Sequence, residues 1–181
     1  MSKVYVFLAE GFEEIEGLTV VDLLRRAKVE TEMVSIMKGK QIKGSHGIKV
    51  TADRMFEDVD FSDADLLVLP GGMPGTLNLG NHEGLCELLK KHYAENKMIA
   101  AICAAPCVFG QLGFLNGRIA TCYPGFENKL EGAIVCATKV AVDGNVTTSK
   151  GLGTAIDFSL KLIEQLVDQQ TALEISQGIM Y

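Results

Sequence analysis

Residues 98–106 read Met98-Ile99-Ala100-Ala101-Ile102-Cys103-Ala104-Ala105-Pro106. An unbroken short apolar run is the mark of a strand buried on both faces. Pro106 follows two alanines and opens a helix, because proline is favoured at the first helical position. Strand, cysteine and helix therefore follow within a few residues. This is a tight strand-to-helix turn of the kind that presents a side chain for nucleophilic attack.

The same alternation continues on both sides of this stretch. Lys3 to Ala9, Glu32 to Met37, Leu66 to Pro70 and Arg118 to Cys122 are short and rich in aliphatic or β-branched residues, like strands. Helical spacing lies between them. Ile15, Leu18, Val21 and Leu24 recur at three-residue steps, Leu85, Leu88 and Leu89 mark a helix reaching about Asn96, and Ile156, Leu160, Ile163 and Val167 mark a third. Such alternation implies right-handed crossovers and a mainly parallel sheet covered on both sides, a flavodoxin-like three-layer α/β sandwich. Residues 41–51 and 134–148 depart from the alternation. The first carries Gly44 and Gly47, the second the turn Asp143-Gly144-Asn145, and each is expected to form an antiparallel ribbon attached to the sheet. Residues 169–181 read as one more helix after a break. No repeat or linker divides the chain, so a single domain over residues 1–181 is expected.

Composition excludes several classes of function. The 181 residues carry 17 Lys and Arg against 23 Asp and Glu, a net charge of −6. An acidic chain with no basic run longer than a pair is a poor partner for nucleic acid. The apolar run Val4 to Ala9 is followed by Glu10, Glu13, Glu14 and Glu16, too short and too acidic for a signal peptide or a membrane anchor. A cytoplasmic protein without a membrane partner is expected. The five cysteines, Cys86, Cys103, Cys107, Cys122 and Cys136, form no CxxC pair and have no histidine at zinc-finger spacing, which argues against a structural metal. Cys86 and Cys136 read as filler. Cys107 is expected in the core, with a resolving thiol as its other reading.

In open α/β sheets the reactive groups gather beyond the carboxyl ends of the strands. Three such ends stand out: Glu10 to Glu16, Pro70 to Gly75, and Cys103 to Pro106. A helix N-terminus beside Cys103 favours thiolate and lowers its pKa from about 8.5. The loop Pro70-Gly71-Gly72-Met73-Pro74-Gly75 lacks the GKS or GKT of a phosphate loop and does not read GxGxxG, so no nucleotide cofactor is expected. Its glycines serve either simple turning or the approach of a backbone N–H to the sulfur, forming half of an oxyanion hole with Ala104 N–H as the other half. The acidic loop places three glutamates within four positions. A charged carboxylate beside a thiolate is repulsive, so any glutamate touching the sulfur must hold its own proton. Such a pair supplies a nucleophile and an acid or base together.

Taken in order, Glu10-Gly11-Phe12-Glu13-Glu14-Ile15-Glu16, Leu69-Pro70-Gly71-Gly72, Ala101 to Pro106, and Ser149-Lys150-Gly151-Leu152-Gly153-Thr154 resemble the motifs of the DJ-1/ThiJ/PfpI superfamily over nearly the whole chain. The resemblance implies a flavodoxin-like sandwich, a homodimer and a reactive cysteine at Cys103. It places the partner glutamate at Glu16 and the oxyanion donors on the backbones of Gly72 and Ala104. Peptidase-type members carry a histidine directly after the nucleophile, where this chain has Ala104, so a protease is disfavoured. The branch containing the Parkinson-associated deglycase often has a histidine twenty residues past the cysteine, where this chain has Tyr123. Tyr123 and His46, the latter in the first ribbon, are candidates for the pocket wall. The activity implied is a cofactor-free reaction on a small aldehyde or dicarbonyl, of glyoxalase III or deglycase type, such as methylglyoxal to lactate. The alternative is a redox sensor or chaperone that signals through oxidation of Cys103.

Overall fold

The computed structural model describes residues 2–181. In chain order the elements are β1 (Lys3–Leu8), α1 (Glu14–Arg26), β2 (Glu30–Ser35), β3 (Gln41–Lys43), β4 (Lys49–Thr51), β5 (Arg54–Met55), β6 (Leu66–Leu69), α2 (Gly75–Asn81), α3 (Glu83–Ala94), β7 (Met98–Ile102), α4 (Pro106–Gln111), β8 (Ile119–Ala120), β9 (Ile134–Val135), β10 (Val140–Asp143), β11 (Val146–Ser149), α5 (Ala155–Leu166) and α6 (Gln169–Gly178). The main sheet has seven strands in the order β10-β11-β7-β6-β1-β2-β5, all parallel except the edge strand β10.

Strand β1 shows why the sheet is covered twice. Successive side chains of a strand point to opposite faces, and here both faces are apolar. Val4, Val6 and Leu8 pack with Val20, Leu23 and Leu24 of α1 and with Phe158, Leu162 and Ile163 of α5. Tyr5, Phe7 and Ala9 join Leu85 and Leu89 of α3 and Val108 and Phe109 of α4 on the other side. Three layers result, as expected from the sequence.

The structure corrects three readings. Arg118 to Cys122 is not a strand of the main sheet: only Ile119 and Ala120 are extended, paired in parallel with Ile134 and Val135 in a separate small sheet. Ile119 and Ile134 are 45% and 59% exposed, so this segment is covered on one side only. The place beside β7 belongs instead to β11, Val-Thr-Thr-Ser, whose hydroxyls disguise a buried strand. Each hydroxyl has a partner: Thr147 donates to Gln165, Thr148 accepts from Thr121 N–H, and Ser149 donates to the Lys139 carbonyl. Second, residues 134–148 do not form one ribbon, because the hairpin about Asp143-Gly144-Asn145 joins β10 to β11 alone. Third, Ile15 faces outward at 48% exposure while Glu14 and Glu16 on either side of it are buried. Residues 41–51 do form an antiparallel ribbon, β3 with β4.

Strand β2 lies to one side of β1, and β6 and β7 to the other. The crevice at such a switch point is where open α/β sheets hold their sites. The three motif loops follow β1, β6 and β7, so they meet there.

Candidate active site

Cys103 follows the last residue of strand β7 in the left-handed region, at φ 67°. That conformation costs a residue other than glycine roughly 1–2 kcal/mol and persists only where the surroundings fix it. They do so here from two sides. Cys103 N–H donates to the Ser149 carbonyl at the end of β11 (3.0 Å), and the Cys103 carbonyl accepts from Tyr123 N–H (2.8 Å). The backbone is thereby held in a turn that lifts the sulfur above the sheet edge, with Pro106 starting α4 three residues later.

Glu16 reaches the sulfur from the first turn of α1. It lies on the same helical face as Val20, Leu23 and Leu24, which explains how a carboxyl comes to be only 1% exposed. Its Oε2 accepts from Gly71 N–H at 2.9 Å, and the Cys103 thiol and the Leu152 N–H favour its charged form. The backbone N–H groups of Gly72 and Ala104 favour the charged form of the sulfur. Gly72 takes φ 90°, a value that only glycine adopts readily, and its loop is locked to the loop after β1: Glu13 N–H donates to the Gly71 carbonyl at 2.9 Å and Gly75 N–H to the Gly11 carbonyl at 3.2 Å. A methyl group on Gly71 would stand 2.5 Å from Cys103 Cβ and 2.8 Å from Glu16 Oε2, so this glycine is a condition of close approach.

The electrostatics differ from the expected thiolate favoured by a helix end. Burial pushes the Cys103 thiol up to about 12, reinforced by the negative charge of Glu16 and opposed by the Gly72 and Ala104 N–H groups. Burial also pushes Glu16 up to about 7, against the bonds from Cys103 and Gly71. Helix α4 is only six residues long, and so short a helix has little dipole to offset desolvation. The two groups therefore titrate as a pair: below about 7 both hold protons, and above it the pair holds one.

Tyr123 stands at the wall. A Cβ built on Gly151 would lie 3.2 Å from Tyr123 Cδ2, 3.6 Å from Glu16 Oε1 and 3.8 Å from Cys103 Sγ, so the bare backbone of Gly151 leaves open the space these three groups surround. Gly151 and Leu152 lie in a motif whose individual roles the sequence did not reveal. His46 sits on the β3–β4 hairpin, its ring largely in solvent, with Nδ1 3.3 Å from Glu13, 3.2 Å from Glu14 and 3.0 Å from Ser45 Oγ. Among the described residues, Glu13, Glu14 and His46 are the group whose ligand atoms approach one another as in a metal site. Glu14, however, is already engaged: its Oε1 accepts from His46 N–H (2.9 Å) and Ile48 N–H (3.2 Å). Burial works against its charge, but these N–H donors outweigh it and hold the carboxyl below the usual range. Glu14 pins the hairpin to α1; Glu16 serves the sulfur. All five cysteines are free thiols.

The sequence pattern describing the DJ-1/PfpI family matches residues 2–165. The chain belongs to the DJ-1/PfpI family. It is 34% identical over 183 residues to protein dj-1beta of Drosophila melanogaster, covering 99% of this chain and 98% of that one. To a deglycase of Pyrococcus abyssi it is 35% identical over 167 residues, covering 91% and 99%. It also matches DJ-1 homolog B of Arabidopsis thaliana at 39% over 176 residues, 96% of this chain but only 40% of that longer protein; the chain spans less than half the length of the two Arabidopsis relatives. Among solved structures, oxidized DJ-1 of Toxoplasma gondii superposes with a TM-score of 0.96 at 36% identity, covering 100% and 99%. Membership and fold thus agree with the sequence motifs, and no described helix is long and apolar enough to cross a membrane.

Proposed function

We propose that the protein is a cofactor-independent cysteine enzyme acting on small reactive dicarbonyls, converting methylglyoxal to lactate or a related substrate to its hydroxy acid. The observation that supports this reading is the buried carboxyl of Glu16 beside the Cys103 sulfur, with Glu16 Oε1 and Cys103 Sγ 3.6 Å and 3.8 Å from one point above Gly151 and each group shifting the titration of the other. A deglycase among the full-length relatives agrees with it. Cys103 sulfur adds to the aldehyde carbon; the C–S bond forms and the carbonyl oxygen takes up the thiol proton through Glu16, giving a hemithioacetal. The N–H groups of Gly72 and Ala104 hold the oxygen while it is negative. Glu16, again a carboxylate, moves the hydrogen from that carbon to the neighbouring carbonyl carbon, and the hemithioacetal hydroxyl proton passes to the neighbouring oxygen, which leaves a thioester of the 2-hydroxy acid. Water then splits the thioester, releasing the acid and restoring the thiol. The sum is addition of one water with an internal redox exchange between the two carbons, so no external oxidant is needed.

Lactate formed from methylglyoxal by metal-free protein is the test. Turnover should be present in the wild type, absent in Cys103→Ser and largely retained in Cys107→Ser. No lactate at millimolar substrate would overturn the proposal. A second reading, redox sensing, is favoured by the same geometry: a protonated Glu16 beside a sulfinate of Cys103 would stabilise that oxidised state, and the Toxoplasma gondii relative was solved oxidized. Peroxide would then add two oxygens selectively at Cys103, seen by intact mass, with a change in partner binding rather than mere inactivation.

A homodimer is part of the proposal. Ile15 and Ile48, 48% and 53% exposed where α1 meets the hairpin, offer an apolar contact.

A further inference from the structure

The stretch Ser149-Lys150-Gly151-Leu152-Gly153-Thr154 ends on a hydroxyl that the chemistry above does not use. Thr154 is the N-cap residue of α5, yet its side chain makes no capping bond to that helix, although capping is the usual service of a threonine there. The hydroxyl turns back on the loop instead. Its Oγ1 accepts from Gly151 N–H at 3.1 Å and lies 2.7 Å from Ser149 Oγ, while Thr154 N–H donates to the Gly151 carbonyl at 2.8 Å. A hydroxyl has one proton to give and two lone pairs to accept with. Ser149 gives its proton to the Lys139 carbonyl at 2.8 Å, which leaves Ser149 Oγ to accept from Thr154; the other acceptor in reach of Thr154 is the Gly151 carbonyl at 2.9 Å. Each group of this chain is satisfied.

Both ends of the chain lead to the reacting pair. Ser149 is fully buried, and its carbonyl accepts Cys103 N–H at 3.0 Å. Gly151 is buried too, and a Cβ built on it would lie 3.6 Å from Glu16 Oε1 and 3.8 Å from Cys103 Sγ. The next N–H, that of Leu152, favours the charged form of Glu16. Without the Thr154 hydroxyl, Gly151 N–H would be a buried donor with no acceptor, and a segment in that state shifts to find one. The Ser149 carbonyl would still hold Cys103. The loss therefore falls on Gly151 and Leu152, on the carboxyl side of the pair.

We propose that Thr154 is a positioning residue of this site: its hydroxyl, anchored on Ser149, holds Gly151 so that Leu152 N–H stays beside the Glu16 carboxyl. The titratable groups around that carboxyl are Cys103 after β7, Glu13 at the N-cap of its own helix, and Tyr123 across Gly151; the Lys150 side chain lines a separate cavity with Cys122 and Cys136. Among the described residues, the Thr154 hydroxyl bonds to none of them. The inference holds whatever reaction Cys103 performs, and its test reads alkylation rather than lactate.

The test is the pH profile of Cys103 alkylation by iodoacetamide in Thr154→Val, which keeps the shape and removes the hydroxyl. Losing a donor beside a carboxylate favours its protonated form. The inflection near 7 in wild type should move up by roughly half to one pH unit. Thr154→Ser keeps the hydroxyl and should restore the wild-type inflection. A merely structural role would lower the melting temperature and leave the inflection in place. Equal inflections in wild type and Thr154→Val, or the same shift in Thr154→Ser as in Thr154→Val, would overturn the proposal. In wild type, the amide hydrogens of Gly151 and Leu152 should exchange with solvent at least about tenfold more slowly than in an unstructured chain; exchange at the unstructured rate would also overturn it. If Thr154→Val does not melt cooperatively, the exchange measurement decides alone.

Discussion

At Glu16, position and protonation are one problem. A carboxyl on the core face of α1 is out of water, keeps its proton to about 7 and therefore can touch a sulfur without repelling it. Glu16→Gln keeps the volume and can still bond to the sulfur, but it cannot exchange a proton. Turnover should fall about 100-fold or more, measured as lactate formed per enzyme, while alkylation of Cys103 below pH 7 changes much less. If Glu16 were only an electrostatic neighbour, both rates would shift together. Glu14→Gln is the control: it should lower the melting temperature by weakening the bonds to His46 and Ile48 N–H, and leave turnover largely intact. The opposite pattern would assign the proton transfer to the wrong glutamate. The sequence already required a protonated glutamate by the sulfur, but choosing Glu16 over Glu13 and Glu14 took family motifs, because all three lie within one turn, Glu14 and Glu16 are equally buried, and only the partners each one faces separate their roles.

Among the elements, what could be read early was what repeats. The apolar strands β1, β6 and β7 and the apolar stripes of α3 and α5 follow simple periods, and they carry the three-layer sandwich. The misread pieces break their own period for a reason. Helix α1 begins with an outward isoleucine between two inward glutamates, since its first turn serves the site and the hairpin rather than the core. Strand β11 hides behind hydroxyls that its neighbours satisfy, and its displacement of Arg118 to Cys122 from the sheet follows. Helix α2, Gly75-Thr-Leu-Asn-Leu-Gly-Asn, has two glycines and a short length that gave no helical signal. The Cys103 turn was legible as a strand meeting a proline-led helix. Its raised pKa was not, because desolvation depends on what closes over the sulfur, and residues distant in sequence do that. The hairpin makes its own prediction: if Ile15 and Ile48 form a self-contact, Ile48→Glu should shift the protein from dimer toward monomer in sedimentation. An unchanged dimer would place the contact elsewhere.

For the whole molecule, the buried pair couples chemistry to stability. Glu16 titrates at about 7 when folded against an ordinary 4.5, so between these values the folded state binds more protons than the unfolded one. Its contribution is fully present below about 4.5 and is lost as pH rises through about 7. Glu14 runs the other way, losing its contribution as pH falls, but it is present in both wild type and Glu16→Gln and cancels from their difference. The melting temperature of Glu16→Gln relative to wild type should therefore rise by several degrees between pH 5 and pH 8; a constant difference would mean that Glu16 does not titrate there. The most direct measurement of the coupling within the pair is the pH dependence of Cys103 alkylation in the two proteins. Wild type should show a rise centred near 7, where the pair loses its first proton, and a second rise toward about 12; in Glu16→Gln the inflection near 7 should vanish. Identical profiles would contradict the account, because Cys103 would then titrate without reference to Glu16.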